Sequence, residues 1–139
     1  MKINQEQIID LLIQACPSYR SRAQQYFKEN YEPGDERLYY LEASDFNHFI
    51  IDLYIDKRTE DFNRIFDVIE ELHINGDDYV KELATIGFLE SLQHHLDHEN
   101  IDYKSFETYL KQESLKWWKH LIDFWNGNTE YVGGPLKEK

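Results

Sequence analysis

One cysteine, Cys16, is all the thiol chemistry the sequence offers. That excludes an intramolecular disulfide and any zinc site built on several cysteines. Proline occurs three times and glycine six times, and most of these fall between periodic segments. There is no low-complexity run and no clear internal repeat. No apolar stretch approaches the ~18 residues a membrane span needs. The opening MKINQEQIID has no long apolar run, so no secretory signal is expected there. Bases are scarce: 15 Lys and Arg stand against 27 Asp and Glu, giving a formal charge of −12 at pH 7. A surface that anionic repels phosphate backbones and anionic headgroups, which argues against nucleic acid and membrane as partners. There is also no glycine-rich phosphate cradle, no GxSxG element and no Walker-type lysine. Gly76-Asp77-Asp78 would set two carboxylates at a helix N-terminus and repel a phosphate there.

Apolar bulk is plentiful. Three Trp, ten Tyr and eight Phe are too much for a disordered chain, and 139 residues suit one hydrophobic core. The reading is a soluble, cytoplasmic, all-α domain over residues 1–126, a bundle of six to seven helices, with a flexible tail at 127–139. The periodicity places the helices. Asn4 caps a helix that reaches Ala15, and Cys16-Pro17 stops it, because a residue before proline avoids the α region. Pro17 opens a second helix running to Asn30. The stretch Tyr31-Glu32-Pro33-Gly34-Asp35 is a loop. A long helical region follows from Glu36 to Lys57, with Ser44 as an internal cap and break. Thr59 caps the next helix, whose inner stripe is Phe62, Ile65, Phe66, Ile69 and Leu72, and Gly76 ends it as a left-handed terminator. Asp77 or Asp78 caps a helix to Leu96 whose apolar residues spread round most of its circumference, as in a central helix. Its small residues Ala84, Gly87 and Ser91 invite a close neighbour. These two helices share a short connection and should form a central antiparallel hairpin. Short helix Tyr103–Leu110 and last helix Glu113–Trp125 complete the domain.

Candidate chemistry is sparse. Glu90, His94 and His98 follow one face at helical spacing, with Asp97 beside them, and are the best metal-ligand candidates. Glu42, Asp45, Asp52 and Asp56 form an acidic stripe beside the Phe46–Leu53 core face, which reads either as a solvated edge or as a docking surface for a basic partner. His73 falls on the apolar stripe with Phe62 and Phe66 and reads as a buried structural histidine. Cys16 reads as a buried thiol. In the last helix Leu115, Trp118, Ile122 and Trp125 make one stripe, while Trp117 and Phe124 project to another side. If exposed, those two are natural anchors for a partner or for a second copy of the chain.

Two stretches carry a resemblance. Residues 75–92, NGDDYVKELATIGFLESL, resemble the "GD-x-x-V … G-F-L-E-x-L" segment of a family of small, acidic, all-helical bacterial proteins labelled as a domain of unknown function. Residues 116–125, KWWKHLIDFW, resemble its closing "W … FW" helix, and Cys16-Pro17 its early proline. The resemblance spans about residues 5–126. Such "GD … FLE-x-L" hairpins also look like those of immunity proteins of bacterial toxin systems, which implies a small cytosolic protein that neutralises a toxin. The resemblance implies no catalytic residues.

Three functional expectations follow. The first is a non-enzymatic protein-binding module, of the immunity-inhibitor kind, whose partner is a basic protein and which needs no cofactor. The second is a protein binding a metal or small ligand, or a metal-dependent enzyme, using Glu90, His94 and His98. The third is a structural homo-oligomer joined through Trp117 and Phe124.

Overall fold

The computed structural model describes residues 2–127. The expected tail at 127–139 therefore lies, apart from Gly127, outside the described residues. Among the described residues the chain is all-helical, with seven helices and no strand. A 3-10 turn, Gln5–Gln7, leads into α1, Ile8–Ala15. Then come α2, Tyr19–Asn30, α3, Tyr39–Ile55, and α4, Phe62–Asn75. Helix α5 covers residues 78–98 in three consecutive segments: α-helical Asp78–Glu82, π-helical Leu83–Glu90 and α-helical Ser91–His98. Helices α6, Lys104–Glu107, and α7, Gln112–Trp125, close the bundle. None of these helices is long and apolar enough to cross a membrane.

Local signals explain several boundaries. Asn4 forms a capping box with Gln7: its side chain accepts the Glu6 N–H at 3.0 Å, and the Asn4 N–H donates to Gln7 Oε1 at 2.9 Å. Asp77 caps α5 by accepting the Val80 N–H at 2.9 Å. Helix α1 ends before Pro17, and Arg64 Nε donates to its last carbonyl, that of Ala15, at 3.1 Å. The backbone of Ile3 bridges the α4–α5 link, donating to Asn75 O at 2.8 Å and accepting from the Asp77 N–H at 2.9 Å.

Other boundaries differ from the sequence reading. Helix α2 starts at Tyr19, after two turn hydrogen bonds that close over Pro17. Helix α3 starts at Tyr39, not Glu36, and runs unbroken through Ser44. The half-buried Ser44 hydroxyl instead makes an interhelical contact, 2.9 Å from His95 Nε2. Helix α4 starts at Phe62 rather than behind Thr59, whose carbonyl only closes a turn onto the Phe62 N–H. Gly76 is not left-handed: its φ is −70° and ψ 153°. Glycine is required there for space, since a Cβ would lie 2.5 Å from Val80 Cγ1 and would also meet the Leu72 carbonyl.

Helix α5 is the centre of the bundle. Leu83, Ala84, Thr85, Gly87, Phe88 and Leu89 of the π segment are all buried, and α3, α4 and α7 pack against it. A π segment displaces backbone carbonyls from their ordinary α-helical partners. Asn47, fully buried on α3, supplies donors from outside: its Nδ2 lies 3.0 Å from Phe88 O and 3.4 Å from Gly87 O. At Gly87 a Cβ would lie 2.5 Å from Leu83 Cδ1 and 3.3 Å from Tyr40 Cδ1, so the missing side chain leaves room chiefly for Leu83. Phe46, Phe62, Phe66, Phe106 and Trp118 fill the remaining core without exposure.

Candidate functional site

The interior holds a polar cluster that has the composition of a hydrolytic triad: Glu70, His73 and Ser114, with Thr85. Its geometry is that of a strut. Glu70 of α4 accepts the Glu113 N–H at 3.0 Å, the Ser114 N–H at 2.9 Å and the Ser114 hydroxyl at 2.9 Å. Those are first-turn donors of α7, so a carboxylate from a neighbouring helix does the work of an N-cap. Burial works against the Glu70 charge, but these three donors and nearby His73 outweigh it and hold its pKa below the usual 4.5. His73 Nδ1 lies 2.9 Å from Ile69 O, an acceptor only, so Nδ1 carries the proton. Nε2 is then free to accept the Thr85 hydroxyl at 3.0 Å. A protonated Nδ1, 3.4 Å from Ser114 Oγ, cannot take the serine proton. All four side chains are buried. Burial, ahead of the Ile69 and Glu70 contributions that oppose it, pushes the His73 pKa below 6.5. The sequence reading of His73 as a buried structural histidine matches this placement; Glu70 gave no comparable signal.

Cys16 is also buried, 3.4 Å from the Ser18 hydroxyl, and burial raises its thiol pKa.

The four acids of the expected stripe do not share one environment. Glu42 is 2% exposed. Arg37 clasps it through two hydrogen bonds, Nη2 to Oε1 at 2.7 Å and Nε to Oε2 at 3.1 Å, and the Tyr31 hydroxyl donates to Oε2 at 2.7 Å. Arg37 lies over the Phe27 and Tyr39 rings, 4.7 and 4.8 Å from their centroids. Asp45 accepts from Arg22 at 3.0 and 3.2 Å and from the Tyr19 hydroxyl at 3.1 Å. Glu42 and Asp45 therefore tie the loop and α2 to α3, and they are not available as a docking edge. Asp52 and Asp56 are exposed, with Arg22 Nη1 at 3.7 Å from Asp52.

The aromatic pair of the last helix is likewise not an outward face. Trp117 is 3% exposed and belongs to the core, while Phe124 is half-buried. Helix α7 packs on α4 and α5 and buries Trp117, Trp118 and Leu121, while Trp125 at its end stays half-exposed. Nor do Glu90, His94 and His98 assemble: no group of three or more His, Cys, Asp or Glu among the described residues is placed to hold a metal ion. His94 and His98 are exposed and Glu90 is half-buried. His95 leans back onto α3, its ring 3.9 Å from that of His48. Burial, then the neighbouring His48, His94 and His98, lower its pKa.

The surface feature that sequence reasoning missed lies where α3 begins. Leu38 is 52%, Tyr40 37%, Leu41 55% and Tyr79 43% exposed. The Tyr39 and Tyr40 rings each stand 6.2 Å from that of Tyr79, edge to face. Beside them, Gln5, Glu6, Glu36, Arg37, Tyr39 and Tyr79 line a shallow hollow of about 420 Å³. The carboxylates leave an electrostatic mark on the phenols: burial, then Glu82 and Tyr79, push Tyr40 up to about 12. Burial, then Tyr39, Glu36, Glu42 and Glu82, raise Tyr79. The Leu-Tyr-Tyr-Leu run at 38–41 was the available signal. It falls inside the helical region expected from Glu36, and periodicity alone does not show which turn lies beyond the core.

This is an all-α, single-core protein whose buried polar groups hold helices together. The chain belongs to the family described as a domain of unknown function (DUF7674), whose model matches residues 9–126. No curated protein and no solved structure matches it.

Proposed function

We propose that the protein is a non-enzymatic binding module of the bacterial cytosol that inhibits a basic partner protein, as immunity proteins do, and that it engages this partner through Leu38, Tyr40, Leu41 and Tyr79. The observation that carries the reading is this exposed tyrosine and leucine patch with Glu6, Glu36 and Glu82 around it. Tyrosine supplies large, stiff contact area and is enriched at interface hot spots. A carboxylate rim on a chain of charge −12 steers a cationic surface towards it and speeds association. Arg37, the cation within the hollow, is already neutralised by Glu42, so the rim keeps its anionic character. The patch is also firm: the Arg37–Glu42–Tyr31 clasp fixes residue 38 onto the helix, and Tyr31 accepts the Leu38 N–H at 2.9 Å.

The test is to crosslink the protein in its native cell, identify the captured protein, and measure affinity with purified components. A basic partner is expected. Its binding should weaken with salt, and Leu41→Ala with Tyr79→Ala should weaken it at least tenfold. Glu82→Lys should act mainly on the association rate. A partner of no net positive charge, or binding indifferent to salt and to these changes, refutes the reading.

A further inference from the structure

A second hollow lies between the C-terminal end of α5 and the end of α7. His94, Asp97, His98, Tyr103 and Trp125 line its volume of about 420 Å³. From its chemistry we infer that it receives a guanidinium group, that of an arginine side chain on the partner; the assignment of source rests on the proposed function, while the cation chemistry stands on the hollow itself.

The walls supply the components a guanidinium needs. Trp125 is half-exposed, and its ring is set by an edge-to-face contact with His94 at 5.1 Å. Tyr103 is partly buried and is held by Trp118, 6.1 Å away and edge to face. Two oriented aromatic walls attract a planar cation. Asp97 is exposed and takes part in no salt bridge among the described residues. In that it differs from Asp45 and Glu42, which each hold an arginine. Asp97 acts electrostatically on the Tyr103 phenol, so its charge reaches the hollow. Among the described residues, no lysine or arginine lines the hollow. The Ser91–His98 segment ends here, and the negative pole of a helix dipole favours a cation.

The same protein shows this combination already occupied. Arg37 lies over two aromatic rings with a carboxylate clasping it side-on through Nε and Nη2. The Asp97 hollow repeats the recipe, one carboxylate and two aromatic walls, and among the described residues no guanidinium fills it. Flat walls select guanidinium over ammonium, because only the former is planar and stacks.

The test uses the full chain at pH 8 and low salt, titrated with N-acetyl-arginine methylamide, N-acetyl-lysine methylamide and free arginine. Binding is read from the Trp125 indole and the backbone amides of residues 94, 97, 98 and 103 by NMR. The blocked arginine should shift these signals and bind at least fivefold more tightly than the blocked lysine. Trp125→Ala and Asp97→Asn should each weaken it at least fivefold; both sites are exposed, and circular dichroism confirms folding. Leu41→Ala with Tyr79→Ala should leave it unchanged. No shift at these positions, equal binding of the lysine compound, or binding that survives both hollow variants overturns the inference. Tighter binding of free arginine than of the blocked form overturns the assignment to a partner's side chain. The two proposals fail separately. Partner binding lost in the Leu41/Tyr79 variant but untouched by Trp125→Ala sinks the hollow alone. Blocked arginine in the hollow, with no basic partner in the cell, sinks the proposed function and the assignment of source with it, and leaves the guanidinium chemistry of the hollow standing.

Discussion

Replacing Glu70 with alanine removes a carboxylate that serves three donors at once. Two are backbone N–H groups in the first turn of α7, and the third is the buried Ser114 hydroxyl. Losing a cap of this kind costs ~1 kcal/mol in exposed helices. Leaving a buried donor without a partner adds about 1–3 kcal/mol per group. The Ser114 hydroxyl can rotate towards another acceptor, and Glu113 is only part-buried, so the sum falls short of three full penalties. The expected loss is about 3 kcal/mol. In urea, with a slope of roughly 1–3 kcal/mol per molar, that lowers the unfolding midpoint by about 1 M or more. Glu70→Gln keeps one acceptor oxygen but points an amide towards a donor, so it should lose about half as much. The pH dependence carries a sign. Glu70 titrates below its ordinary 4.5 in the folded state, so its contribution is complete above pH 4.5 and is lost as the pH falls through the folded value. The gap between wild type and Glu70→Gln must therefore close on acidification. An alanine variant within 0.5 kcal/mol of wild type, or a gap constant down to pH 3, would refute the strut.

Wild-type stability should begin to fall at higher pH than carboxylates alone would cause. His73 is held neutral below its ordinary 6.5 by burial, so the unfolded chain binds the extra proton and stability is lost as pH drops from 6.5 through the lowered folded value, a loss that His73→Gln should remove from a urea series between pH 7 and 5. Gly76→Ala should cost more than 2 kcal/mol, because the new methyl meets Val80 and the Leu72 carbonyl; a melting temperature within 2 °C of wild type contradicts that. Trp117→Ala should cost about 3–5 kcal/mol, the scale of a buried aromatic, without changing the mass seen by light scattering; dissociation of a folded oligomer would show Trp117 to be an intermolecular anchor instead. Asp52→Lys with Asp56→Lys should leave stability within about 0.5 kcal/mol, as exposed substitutions do, and should slow association with the partner. Asp45→Lys should unfold the α2–α3 contact, because Arg22 and Tyr19 lose their acceptor.

Much of the helical layout was legible because a period near 3.6 residues survives any tertiary arrangement. Phe62, Ile65, Phe66, Ile69 and Leu72 sit on one stripe in sequence, and all five are buried. Asn4 and Asp77 were legible as caps because each acts on its own next turn. The misreadings share a different cause. Ser44, Thr59 and Gly76 have cap-like identities, but other contacts set their roles: distant His95 for Ser44, a plain turn onto Phe62 for Thr59, and the crowding of Val80 and the Leu72 carbonyl for Gly76. Glu70 is the converse case, a capping carboxylate that is 43 residues away from the N–H of Glu113 it serves, so no local pattern announces it. The π segment is similarly silent in sequence. Its apolar residues spread round the helix, which signals centrality but not register, and the carbonyl donor Asn47 lies 41 residues from Phe88.

The candidate site was less legible for a reason of charge accounting. An acid on a helix edge looks the same in sequence whether it faces water or an arginine. Glu42 and Asp45 face arginines, and that pairing consumes the half of the expected edge nearest the core. Charged groups enter such interiors only when paired or hydrogen-bonded, so the acids that remain unburied after the fold closes are the ones able to act on a partner. Glu6, Glu36 and Glu82 are left around the tyrosines, and Asp97 beside Trp125. In both places the carboxylates border exposed aromatic rings, whereas Asp52 already has Arg22 at 3.7 Å. A cation approaching the first two places gains ring contact as well as charge, while beside Asp52 an arginine of the chain itself already stands, and an exposed pair is readily screened by salt. That difference is what turns attention from the middle of α3 to its beginning and to the end of α7.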